Sequence, residues 1–238
     1  MSNIIVSITS GVSNFGSALG AFWSDWGGFI LQATGETFVM VGVSLIFAII
    51  LAVPLGALLV VTRPGRSHGN KVVYGALNVL INMVRSLPFI ILLFFLLPVT
   101  KAISGTTIGV RGVIVPLVAY AAPYIARLIE SSLLEVDQGV LEAYEAMGIK
   151  GRDLVFHVLM REARPSLVRS LTIATISLIG ATASAGLVGG GGLGDLAYRF
   201  GFVRYENSVM YVTVLLLIVL VQVVQSLGDL IARGISKE

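Results

Sequence analysis

The sequence predicts an all-α polytopic membrane protein of five transmembrane helices, with its N-terminus outside and its C-terminus in the cytoplasm. Three observations carry that expectation. The 238-residue chain is 56% hydrophobic and only 12% charged, about half the charged share of an ordinary soluble domain. Five stretches meet or approach the roughly 20 mainly apolar residues that a helix needs to cross a bilayer. The basic residues gather on one side of those stretches.

The first 33 residues contain no Lys or Arg. They lack the positive n-region of a cleaved signal peptide and are read as an extracytoplasmic extension, 1–33. Within it, Ile4–Gly20 is diluted by Ser, Asn and Gly and makes a poor span. Phe22, Trp23 and Trp26 suit an aromatic belt where the chain meets the interface. A surface helix and a loosely ordered extension fit this composition equally well.

The second region, 34–231, holds the spans, at about 36–61, 71–98, 108–129, 165–188 and 207–227. Thr62-Arg63-Pro64-Gly65 ends the first span, because Pro stops a helix and Gly turns the chain. The second is interrupted by Arg85 and Pro88, and the proline removes a backbone donor and bends or restarts the helix. Gly105–Gly109 turns the chain into the third, and Pro165 opens the fourth as a first-turn proline. One side of the spans carries Arg63, Arg66, Lys71, Lys150, Arg152, Arg161, Arg164, Arg169, Arg233 and Lys237. The other carries Lys101, Arg111, Arg199 and Arg204. The richer side is expected in the cytoplasm. The five-span pattern is not repeated within the chain, so internal symmetry has to come from a second copy, and a homodimer is expected.

Ionisable groups inside spans are expensive and tend to be paired or functional. Arg85 is the deepest, and either contacts a partner or substrate or snorkels to the headgroups. Arg127 and Glu130, at i and i+3, are expected to pair. Ser170, Ser177 and Ser184 recur at sevens in the fourth span, with Ala174 and Ala181 on the same face and Thr175 and Thr182 beside it. Such a face serves close helix packing or walls a polar pathway. The candidate pathway residues are Ser177, Ser184, Thr182 and Arg85.

Several function classes are weakly supported. There is no cysteine, hence no disulfide framework and no thiolate chemistry. His68 and His157 both lie in polar segments, far apart, so no metal site, cofactor or catalytic residue is assigned. The basic balance reads as topology, with no nucleic-acid partner. Gly189–Gly194 matches G-x-G-x-x-G, yet follows a span, where the dinucleotide fingerprint requires a preceding strand. A tight re-entry between the fourth and fifth spans fits better. No G-x-x-x-x-G-K-[ST] occurs, so the chain has no P-loop and is not expected to be an ATPase.

The loop 134–164 is the one long polar segment. Asp137 can cap a helix, along which Val140, Tyr144 and Met147 form an apolar stripe. Gly148 ends that helix, and a second short helix would turn Leu154, Val155, Val158 and Leu159 inward. On these residues the loop resembles the EAA loop of ABC importer permeases. Glu142-Ala143-Tyr144 is followed after three residues by Gly148, then by Val158-x-Met160. Tyr144 replaces the second alanine of that pattern, and Arg161 stands where proline is usual. Further blocks, Thr62–Gly65, Arg85–Leu93, Ala121–Glu135 and Gly191–Phe202, are similar to those of the methionine-uptake permeases.

The resemblance implies the type I ABC importer permease architecture: a homodimer in the bacterial cytoplasmic membrane, with two cytoplasmic ATP-binding subunits and an extracytoplasmic substrate-binding lipoprotein. It further implies that Val140, Glu142, Ala143, Tyr144, Met147 and Gly148 couple to the ATPase. The implied cargo is methionine, in the L and D forms. A permease for another small amino acid, or a channel or carrier subunit working without ATPases, is the alternative.

Overall fold

The computed structural model describes residues 2–65, 69–137, 139, 144, 147 and 154–236, those before Gly20 by backbone alone. The elements among them are all helical. They run α1 (Ser2–Thr62), α2 (Lys71–Ser86), α3 (Phe89–Phe95), α4 (Leu97–Ser104) and α5 (Gly109–Leu134). A π-helical segment Leu154–Leu159 and a short turn Met160–Glu162 lead into α6 (Arg164–Gly186). Then come α7 (Gly192–Leu196), a second π-helical segment Ala197–Phe202, and α8 (Asn207–Ile235).

Among the described residues, four helical stretches are long and apolar enough to cross a membrane: Gly20–Thr62, α5, α6 and α8. The expected span at 71–98 is not one helix, because α2 and α3 meet at a bend of 105°. Pro88 supplies the physical reason. It lacks an N–H and drives the preceding residue out of the helical region, and Leu87 sits at φ −84°, ψ 129°. Counting the bent pair as one gives five spans.

Helix α1 runs through residues 33 and 34 without a break, so the expected extension and the first span belong to one helix. Packing explains the continuity. Ile30 and Ala33 form a small core with Leu193, Leu196 and Val209, against which Phe22 and Trp26 also rest. The Trp26 ring stands edge-on to Phe200 with centroids 5.0 Å apart. Trp23 alone of the three belt aromatics is largely exposed, at 55%.

Helix α5 lies at the centre, against α1, α2, α4 and α6. Its Leu117, Ile125, Ala126 and Leu133 are buried with Ala48, Ala52 and Leu59 of α1 and Leu178 of α6. Lipid gives helices no hydrophobic drive to associate, so close van der Waals approach at small residues does the work. A Cβ on Gly56 of α1 would lie 2.8 Å from Ile129 Cγ2 of α5, and one on Gly228 of α8 would lie 2.0 Å from Thr172 Oγ1 of α6.

The glycine run after α6 is the tight re-entry that its sequence suggests. Gly189, Gly191 and Gly192 all adopt positive φ, where a side chain would be strained. The orphan N–H groups at the start of α7 find partners on α1. Gly192 N–H donates to Glu36 Oε2 at 2.7 Å and Leu193 N–H to Thr37 Oγ1 at 2.9 Å. A helix N-terminus attracts anions, and here the anion is the chain's own Glu36 carboxylate. The place that a phosphate would take in a nucleotide fold is filled from within. Gly109 N–H donates to Gly189 O at 3.0 Å, which ties the start of α5 to the same elbow.

Candidate functional site

The chain returns to water between the end of α5 and the start of α6, and polar contacts fix both margins of that segment. Ser132 of α5 and Ser170 of α6 join hydroxyls at 2.9 Å. The Ser166 hydroxyl lies 2.6 Å from Glu135 Oε2, to which it donates, and 3.2 Å from Ser132 Oγ. Three hydroxyls and one carboxylate thereby clasp the outgoing and returning limbs. On the outgoing side Asp137 Oδ1 accepts the Gly139 N–H at 2.7 Å, the cap expected of that aspartate. On the returning side Leu154, Val155, Val158 and Leu159 are all buried, the four positions expected to face inward.

Of the six expected coupling residues, Val140, Glu142, Ala143 and Gly148 lie outside the described residues. Tyr144 is helical and half-buried, and Met147 sits at a turn, 65% exposed.

A second polar group joins α2 to α5. Arg127 and Glu130 form the expected ion pair. Arg127 also donates to Asn78 Oδ1 and, at 3.3 Å, to Asn82 Oδ1. The Tyr74 hydroxyl donates to Glu130 Oε1 at 3.1 Å. Glu130 is only 3% exposed, so these bonds replace the water it has lost. The sequence reading misses Tyr74, Asn78 and Asn82, although their i, i+4, i+8 spacing is the signal of a polar helix face.

A strip of aromatic and polar side chains continues along α5. The Arg85 guanidinium lies 5.8 Å from the Tyr124 ring centroid, a cation–π contact, and no carboxylate pairs with it among the described residues. One turn away, the Tyr120 hydroxyl meets Ser177 Oγ at 3.2 Å, and its ring stands edge-on to Phe89, with centroids 5.5 Å apart. Ser177 and Arg85 therefore converge on one face of α5. Ser184 donates back to Gly180 O at 3.3 Å. Thr182 differs from expectation. It is 2% exposed with its hydroxyl on Ile179 O, because its side of α6 turns into the bundle, and it lines no open wall in this subunit. Ala174 and Ala181 are buried too.

Comparison with known proteins adds to this geometry. The family model described as "Binding-protein-dependent transport system inner membrane component" matches residues 52–237. A probable D-methionine transport system permease protein of Vibrio cholerae is 45% identical over 206 residues, covering 87% of this chain and 92% of the relative. A methionine import system permease protein of Bacillus subtilis is 42% identical over 180 residues, covering 76% and 81%. A chain in an inward-facing structure of the MetNI methionine ABC transporter superposes with a TM-score of 0.87 at 42% identity, covering 89% and 98%. The apolar helices, the broken second span and these matches place the protein in the membrane, and the chain belongs to the family of inner-membrane components of binding-protein-dependent transport systems.

Proposed function

We propose that this chain is the permease subunit of an ATP-driven methionine importer, working as a homodimer with two ATP-binding subunits and an extracytoplasmic substrate-binding lipoprotein. The observation that carries the reading is the 45% identity to a probable D-methionine transport system permease protein, over 92% of its length. The segment between α5 and α6 is assigned to the cytoplasm on the basic residues Arg63, Lys71, Arg161, Arg164, Arg169 and Arg233, which the order of the spans puts on its side. ATP is hydrolysed by the partner, because the sequence has no P-loop lysine to hold a β/γ-phosphate.

The mechanism then follows from connectivity. The ATPase grips Glu142, Ala143, Gly148 and the apolar side chains of Val140, Tyr144 and Met147. Closure of the ATPases moves the segment, and the Ser132–Ser166–Glu135 clasp passes the displacement to α5 and α6 as a unit. Rocking of one half against the other gives alternating access. The route runs along the α5–α6 face marked by Arg85, Tyr120 and Ser177 and continues past Ser184. Deleting the chain from cells with no second methionine importer is expected to abolish uptake of radiolabelled methionine, and re-expression to restore it. Unchanged uptake after deletion would sink the assignment.

A further inference from the structure

The returning limb of the loop carries a cationic groove that the transport mechanism does not use. His157, Arg161 and Arg164 line a recess of ≈ 370 Å³ together with Phe156 and Met160. Arg161 and Arg164 are exposed, and neither is paired with a carboxylate among the described residues. The first turn of α6 holds no acidic side chain, although a helix N-terminus favours negative charge there; Glu162, between the two arginines in sequence, is exposed and pairs with neither among the described residues. An open recess with two guanidiniums unpaired among the described residues offers a site to an external anion.

The depth of the groove decides the class of anion. Arg164 is the first residue of α6, a helix long and apolar enough to span, which puts the groove at one end of a candidate span, within reach of headgroup phosphates. Phe156 is 40% exposed beside the cations. An aromatic edge next to guanidiniums suits a ligand with an acyl portion and a phosphate. Arginine binds phosphate through a planar fork of donors, and polybasic segments beside membrane helices attract anionic lipid.

We infer that Arg161 and Arg164 form an anionic phospholipid headgroup site at the base of the loop. The site clamps the returning limb to the inner leaflet, so that ATPase-driven motion pivots there instead of lifting the loop off the membrane. This rests on the cytoplasmic placement proposed above.

The test uses the complete transporter, purified and reconstituted in vesicles of phosphatidylcholine alone or of phosphatidylcholine mixed with phosphatidylglycerol. Native mass spectrometry of the purified complex should show phosphatidylglycerol retained by the wild type. Arg161→Gln and Arg164→Gln should each weaken that retention roughly fivefold, the share of one basic residue near an anionic surface, while the ATPase still copurifies. Uptake should rise with phosphatidylglycerol in the wild type and lose that dependence in the double variant. Equal lipid retention in wild type and variants would overturn the site. So would loss of ATPase binding in the variants, which would make the groove part of the protein interface. Inorganic phosphate added to phosphatidylcholine vesicles should not substitute for the lipid, and if it does, the ligand is a soluble anion. Failure of the wild type itself to bind an ATPase would count against the importer reading and not against the groove, because lipid retention is read separately.

Discussion

Replacing Arg127 with alanine is expected to destabilise the folded chain by ~3–5 kcal/mol, the usual cost of removing one partner from a buried ion pair. The magnitude follows from what is left behind. Glu130 is 3% exposed, and without Arg127 its only remaining partner among the described residues is the Tyr74 hydroxyl. Asn78 would lose the same guanidinium. A double replacement, Arg127→Met with Glu130→Leu, removes both charges and keeps the volume, and such swaps are often neutral. The single variant should therefore unfold at clearly lower temperature or denaturant concentration in detergent than the double one. Equal losses would show that the pair's packing matters and its charge does not.

Gly194→Ala should be comparably damaging, for a steric reason. A Cβ at that position would lie 2.2 Å from Ala183 O and 2.5 Å from Ala183 Cα. The reciprocal contact is equally close, since a Cβ on Gly186 would lie 2.2 Å from Asp195 N. All of these atoms are backbone, so no rotamer change relieves the clash and α6 must separate from α7. Overpacking a core by a methyl or two typically costs about 1–3 kcal/mol, and a backbone obstacle belongs at the upper end. The opened elbow would also pull Gly192 from Glu36 and loosen α1. By contrast, a Cβ added at Gly42 would meet nothing within 4 Å, and Gly42→Ala should be neutral or slightly stabilising, as alanine is the better helix former. Thermal melts of the two variants beside the wild type separate these outcomes, and a Gly194→Ala protein as stable as the Gly42→Ala one would contradict the packing account.

The sequence made the spans legible because hydropathy over about 20 residues is a local property of the chain. Pro88 marked where the second would break, but the 105° angle between α2 and α3 depends on what each half packs against, which no local rule supplies. The glycine run showed a re-entry for the same local reason. Its partner Glu36 is 156 residues away in sequence, and by sequence alone that carboxylate is only the polar start of a span. The loop followed a similar division. Asp137 as cap and the four inward apolar positions could be read from spacing. The clasp of Ser132, Ser166 and Ser170 with Glu135 could not, because it exists only once α5 and α6 lie side by side. Hydroxyl spacing along α6 identified a face, but Thr182 shows that spacing alone does not say which hydroxyls stay open.

The central claim is that the segment between α5 and α6 receives the energy of a partner ATPase, and copurification tests it most directly. The affinity-tagged chain, coexpressed with the candidate ATP-binding subunit, should retain that subunit through purification. Gly148→Asp and Glu142→Lys should each abolish retention while the chain remains folded and in the membrane. Retention undiminished in both variants would contradict the assignment of this loop as the coupling element.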